Sequence, residues 1–139
     1  MSKRGRVVGW LLGPVLLAGA LAPAALQTTA PDKAMAQEQL KLARQALQGL
    51  DAMHKNGAVA RYDPKFALWE RRQVEAIRAA GATQAEYVAA LEAYVKRLKG
   101  FASDLQAAHE RGAASLVDVW DAEYRVLEAE MWLNREKSR

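Results

Sequence analysis

The sequence predicts an all-α protein: an antiparallel helical hairpin or four-helix bundle with coiled-coil-like heptads, preceded by a signal peptide. From residue 37 onward the chain is rich in Ala, Leu, Glu, Gln, Arg and Lys, which favour helices, and contains one proline. The same stretch has no alternating run of β-branched residues that would predict a strand. Apolar residues recur instead at intervals of three and four, so the 139-residue chain is expected to form one small helical domain.

The N-terminal segment has the layout of a signal peptide. A basic stretch over residues 2–6 precedes an uncharged apolar run that extends to Leu26. Ala34-Met35-Ala36 offers small residues to a signal peptidase, and Ala22-Pro23-Ala24 is the alternative site. About 20 apolar residues can also span a bilayer as an uncleaved anchor, but the Gly and Pro interruptions favour cleavage. The predicted division is a signal peptide over 1–36 and a helical domain over 37–139.

Export predicts a periplasmic or secreted protein. The chain has no cysteine, so lipid attachment at the signal and stabilisation by disulfides are both excluded. The net charge of +4 belongs largely to the first 36 residues, and residues 37–139 contain 16 Lys and Arg against 15 Asp and Glu. This balance argues against a nucleic-acid partner recruited by overall basicity.

The first helix is predicted over about residues 36–56, and Asn56-Gly57 is a typical stop signal. Its apolar face contains Leu40, Ala43, Leu47 and Leu50. The second helix is predicted from Pro64 to Ala80, because Asp63 caps it and proline suits the first helical position. The side chains that we expect to point inward from the second helix are Phe66, Trp69, Ala76 and Ile77.

The third helix begins with a capping box, Thr83-Gln84-Ala85-Glu86. Apolar residues then repeat at alternating intervals of four and three, which predicts a heptad stripe. Gly100 lies inside this helix and marks either a kink or a close helix contact. The stripe consists of Tyr87, Leu91, Tyr94, Leu98, Phe101, Leu105 and Ala108.

The fourth helix follows a turn formed by Arg111, Gly112, Ser115 and Asp118, so helices three and four should form a hairpin. It carries one stripe at 117, 120, 124, 127 and 131 and a second apolar set at 119, 126 and 133. Together the two stripes form an apolar surface wider than one neighbouring helix can cover. This helix should therefore contact two helices of its own chain or another protein. The predicted interface comprises Val119, Trp120, Tyr124, Val126, Leu127, Met131 and Trp132.

Two helix starts resemble each other. Gly81-Ala82-Thr83 with Glu86 is similar to Gly112-Ala113-Ala114-Ser115 with Asp118, about one helical unit later. Either a helix-turn unit is duplicated, or two helix starts built from Gly, Ser or Thr and an acid look alike.

The segment around this last turn resembles the helical-hairpin repeat of TolC-like outer-membrane efflux proteins. The matching residues are Gly112, Ser115, Asp118-Val119, Ala122, Leu127 and Ala129, within a similarity that extends over about 70 residues from Trp69 to Lys137. That family is about three times longer and has membrane strands that this chain lacks. The resemblance therefore implies a packing mode, a hairpin that joins other helices, and not a channel.

No residue pattern predicts catalysis. His54 and His109 stand far apart without a pairing motif, so they are interpreted as solvated residues near helix ends and not as metal ligands. Met131 is assigned to core packing. The acids of helix four form a solvated face, with Glu128–Arg125 and Glu92–Lys96 as expected ion pairs. A basic cluster is interpreted as ordinary surface and contains Arg71, Arg72, Arg78, Lys96, Arg97 and Lys99.

Two functions remain open. The first is a non-enzymatic envelope module, without cofactor, that packs on itself or on a protein partner. The second is a small periplasmic chaperone or metal-responsive binder, because Thr83-Gln84-Ala85-Glu86 is loosely similar to the LTxxQ motif of such helical proteins.

Overall fold

The computed structural model describes residues 29–139, which form four helices. The predicted all-α class is confirmed, and no strand occurs among the described residues. Most of the predicted signal peptide lies outside them. The helices are α1 (Ala30–Lys55), α2 (Pro64–Ala79), α3 (Gln84–Glu110) and α4 (Leu116–Lys137).

Each helix packs against the next one along the chain: α1 against α2, α2 against α3, and α3 against α4. Helices α2 and α4 also meet through their side chains. The Arg78 guanidinium lies 2.8 Å from the Glu136 carboxylate, and Arg71 lies 3.3 Å from Glu128. Helices α2, α3 and α4 therefore surround one core, while α1 covers the outer side of α2.

Helix α3 supplies most of this core. All seven residues of its predicted heptad stripe are buried, and Leu91 and Leu98 are completely enclosed. The capping box between Thr83 and Glu86 is present, as predicted. A Cβ added at Gly100 would meet nothing within 4 Å, so a close helix contact there is excluded.

Helix α1 begins earlier than predicted, at Ala30 instead of about residue 36. Thr29 and Asp32 form a capping box, and Pro31 occupies the first turn, where a missing N–H costs nothing. The predicted cleavage motif at residues 34–36 lies inside this helix, and Ala36 is buried. The predicted end is confirmed, because α1 stops at Lys55 with Asn56 as its C-cap.

Helix α2 has the predicted Asp63 cap and ends at Ala79. Phe66 and Ala76 are buried as expected, and Ile77 packs against the core. Trp69 is only partly buried, and the Arg72 guanidinium lies 4.5 Å from its ring centroid. Trp69 therefore lies at the margin of the α1–α2 contact.

The three turns between helices share a glycine with positive φ, at Gly57, Gly81 and Gly112. Two of them share a further contact. His54 Nδ1–H donates to the Val59 carbonyl at 3.0 Å, and His109 Nδ1–H donates to the Ala114 carbonyl at 3.0 Å. The turn between α2 and α3 has no histidine. The turns of the α1–α2 and α3–α4 hairpins are therefore alike in both the glycine and the histidine contact, with the two histidines 55 positions apart.

Candidate functional site

Helix α4 turns one of its two apolar sets towards the core. Val119, Ala122 and Ala129 are buried, and Val126 and Leu133 pack against the central cluster. The core therefore uses the set at 119, 126 and 133, supplemented by two alanines between them. Of the seven residues predicted as an interface, three belong to the chain's own core: Val119, Val126 and Trp132.

The other apolar set points into solvent. Its five side chains are 50% to 67% exposed and lie on one side of α4 at intervals of three and four, which is the spacing of a coiled-coil seam. Met131 belongs to this set, so its assignment to the core was wrong. We call this surface the α4 outer face; it consists of Val117, Trp120, Tyr124, Leu127 and Met131.

The hairpin turn positions α4. Arg111 is the C-cap of α3, and Gly112 has a φ of 72°. The Ser115 hydroxyl accepts a hydrogen bond from the Asp118 backbone N–H at 3.2 Å, and the Asp118 carboxylate accepts one from Ser115 N–H at 3.0 Å. Hydrogen bonds from the Ser115 hydroxyl and N–H lower the pKa of Asp118. The four residues predicted for the turn thus form it together.

The far end of α4 is held by Glu136, the one buried charged residue among those described. Its carboxylate lies 2.8 Å from Arg78 and 3.1 Å from Arg139. The Gln84 side-chain amide donates to the Glu136 carbonyl at 2.8 Å. Because these contacts reach α2, α3 and α4, the orientation of α4, and with it the direction of its outer face, is anchored at both ends.

Two carboxylates beside the α4 outer face are paired with bases. Arg125 lies 2.7 Å from Asp121, and Lys99 of α3 lies 2.7 Å from Glu130. The ion pairs expected within single helices are not formed: Glu128 contacts Arg71, and Glu92 contacts Lys137. In both cases the carboxylate pairs with a base on a neighbouring helix and not with the base expected one turn away on its own helix.

Four of the six bases in the cluster of α2 and α3 are similarly paired. Arg71, Arg78 and Lys99 contact the α4 carboxylates named above, and Arg97 lies 2.8 Å from Glu70. Burial raises the pKa of Glu70, and the charge of Arg97 acts in the opposite direction. Burial also raises the pKa of Tyr94, which lies near Arg71 where α2, α3 and α4 meet, to about 12. These side chains join the helices to one another.

Sequence reasoning missed exposed apolar residues on α1. Met35, Leu42 and Met53 are each between 44% and 59% exposed. Met35 falls within the predicted signal peptide. The sequence signal for a stripe is weak, because Met35, Leu42, Ala46 and Met53 share a helical face with Gln39 and Gly49 between them.

No group of three or more His, Cys, Asp and Glu side chains within residues 29–139 is arranged to hold a metal ion. His54 and His109 are partly buried in the last turns of their helices, where each bonds a turn carbonyl. Among the helices of the described region, none is both long and apolar enough to cross a bilayer.

Comparisons with protein-family models, with curated proteins and with solved structures found no match for this chain. The resemblance to TolC-like hairpins therefore stays a prediction from the residues around Gly112.

Proposed function

We propose that this protein is a non-enzymatic, exported helical interaction module of the cell envelope, whose α4 outer face binds another protein surface, either a second copy or an envelope partner. Its hairpin would join other helices in the manner of TolC-like hairpins. The observation that carries the proposal is the row of five exposed apolar side chains on α4.

The large side chains of the α4 outer face make its burial against another protein energetically favourable. Burying a large apolar side chain contributes about 1.5 to 3 kcal/mol relative to leaving it in water. Trp and Tyr are the residues that most often anchor protein interfaces, and Trp120 and Tyr124 lie one turn apart at the centre of the row. Single exposed apolar residues are ordinary on a protein surface, but a contiguous row marks an interaction site.

The test compares three forms of the purified exported protein by light scattering over a concentration series. The first is the wild type, and the second carries Trp120→Glu and Leu127→Glu, which place two charges on the α4 outer face. The third is a charge-matched control, Ala89→Glu with Ser103→Glu, at two exposed positions of α3. We expect the mass of the wild type and of the control to rise with concentration and that of the α4 variant to stay monomeric.

Chemical cross-linking in the intact envelope extends the test to a different partner. If the wild type is monomeric and its cross-linked adducts are the same as those of the α4 variant, the proposed function is wrong. A change of mass that occurs only when divalent metal is added would favour the metal-responsive binder instead.

A further inference from the structure

The two hairpins of the chain bury equivalent positions along their first helices. An offset of 55 residues, set by the two turn histidines, relates α1 to α3. At this offset, three buried residues of α1 coincide with three buried residues of α3. The pairs are Ala36 with Leu91, Ala43 with Leu98, and Leu50 with Leu105.

The second helices correspond in the same way. An offset of 53 residues relates buried Phe66 and Ala76 of α2 to buried Val119 and Ala129 of α4. This offset is smaller because more residues separate α1 from α2 than α3 from α4. The two hairpins therefore use corresponding sides of their helices to hold themselves together.

The other buried sides of α2 and α3 correspond to sides of α4 and α1 that are more exposed. On α2, Ala67 and Val74 are buried in the central cluster, but their counterparts on α4 are the exposed Trp120 and Leu127. On α3, the stripe at 94, 101 and 108 is buried, but its counterparts on α1 are less covered. These are exposed Gln39, partly exposed Ala46 and exposed Met53. The junction between the hairpins thus buries positions that no helix of the described region covers on α1 and α4.

We infer that a second copy of this chain covers these open positions: the outer face of α4 packs against α1 of the next copy, antiparallel, as α2 packs against α3 within one chain. The inference rests on the proposed function and names its partner. In repeat proteins each unit contacts its neighbours, and the end units need polar outer faces to stay soluble. Here α4 carries an exposed apolar row instead, and α1 exposes Met35, Leu42 and Met53.

Side-chain size favours this partner over a pairing of two α4 helices. The α4 outer face contains the large side chains Trp120 and Tyr124, whereas the open positions on α1 include the small residue Ala46. This part of α1 therefore leaves room for large side chains of a neighbour.

An interface between two different surfaces repeats from copy to copy, so it produces rings or open chains and not closed two-fold dimers. It also predicts complementation. A copy with a defective α4 face still offers α1, and a copy with a defective α1 face still offers α4. Two defective copies can therefore form one interface between them.

The experiment uses the α4 variant described above and an α1 variant, Gln39→Glu with Met53→Glu, which replaces only exposed residues. A matched α1 control is Gln45→Glu with Gln48→Glu, at exposed positions whose α3 counterparts are also exposed. Circular dichroism first establishes that each variant keeps the wild-type helix content. We expect the α4 variant and the α1 variant each to be monomeric by light scattering, and the α1 control to assemble as the wild type does. An equimolar mixture of the α4 variant and the α1 variant should reach twice the monomer mass and no more.

Three results would overturn the inference. If the α1 variant assembles like the wild type while the α4 variant does not, two α4 faces pair with each other; the proposed function then stands and this partner arrangement fails. If the wild type is monomeric at every concentration, a second copy is not the partner, and envelope cross-linking decides the proposed function separately. Failure of the mixture to form the heterodimer would also contradict an α4–α1 interface.

Discussion

At the scale of single residues, Trp120 and Leu98 illustrate how differently two apolar side chains of one chain are used. Trp120 is 58% exposed, whereas Leu98 is 1% exposed. Replacing a buried leucine by alanine leaves a cavity and typically costs about 2 to 5 kcal/mol. We therefore expect Leu98→Ala to lower the free energy of unfolding by that amount, measured by urea denaturation at low protein concentration.

Trp120→Ala should lower the same free energy by about 0.5 kcal/mol or less, yet weaken association strongly. A small loss of monomer stability together with a large loss of association would identify Trp120 as a surface residue and not a core residue. A loss of several kcal/mol in the monomer would show that Trp120 stabilises the fold itself.

Glu70 and Arg97 provide a pH-dependent prediction. Burial raises the pKa of Glu70, so its charged form destabilises the folded state, and Arg97 offsets that penalty. Arg97→Met should raise the pKa of Glu70 further. The variant should then be less stable than the wild type at pH 7, and the difference should shrink as the pH falls through the raised pKa towards the ordinary value of 4.5.

The measurement is urea denaturation of both proteins between pH 7 and pH 5. Glu70→Gln combined with Arg97→Met is the control, because without the carboxyl the loss of Arg97 should no longer add a pH-dependent stability difference in this range. A stability deficit in Arg97→Met that does not change with pH would contradict the assigned role of Arg97.

At the scale of helices and turns, replacing two different glycines by alanine should change the stability of the protein in opposite directions. Gly112 has a φ of 72°, which L-residues adopt at a cost, whereas Gly100 lies in a helix with open space around its missing side chain. Gly112→Ala should destabilise the protein by about 1 kcal/mol. Gly100→Ala should stabilise it by about 0.5 to 1 kcal/mol, and thermal melting of both variants measures the two changes.

The start of α1 bears on processing of the proposed signal peptide. Cleavage after Ala36 would remove the Thr29 cap and about the first two turns of α1, including the capping box with Asp32. Loss of a cap costs about 1 kcal/mol. We therefore expect cleavage upstream of Thr29, for which Ala22-Pro23-Ala24 is the available motif. The intact mass of the exported protein measures this directly, and a mature chain beginning at Gln37 would contradict it.

At the scale of the whole molecule, α1 is the least integrated helix. It packs against α2 and contributes no residue to the central cluster, whereas α3 contributes seven. Regions with few buried apolar contacts open with the smallest free energies. In hydrogen-exchange mass spectrometry of the dilute protein, we expect the amides of α1 to exchange faster than those in the middle of α3.

The same measurement at high concentration reports on assembly. If α4 of a second copy covers α1, exchange in α1 should slow as concentration rises, while α3 changes little. Equal exchange rates in α1 and α3 of the dilute protein would contradict the peripheral role of α1.

Much of the fold was predictable because it is specified locally. Thr83 with Glu86 and Ser115 with Asp118 form their capping boxes from residues three apart, and the α3 stripe follows one strong periodicity. The start of α1 was not predicted, because the small residues at 34–36 have the spacing of a signal-peptidase site although they lie inside a helix capped by Thr29. The ion pairs of Glu92 and Glu128 were missed because their partners lie on other helices.

The sequence by itself determined the helical class, the caps and turns, and the face that α3 buries, since each depends on residues within a turn or two of one another. Only the tertiary structure decided which apolar row of α4 is core. Both rows have helical spacing, so periodicity alone treats them alike. Val119 and Ala129 are buried because α3 lies on their side, and Trp120 and Leu127 are exposed because no helix of the described chain lies on theirs.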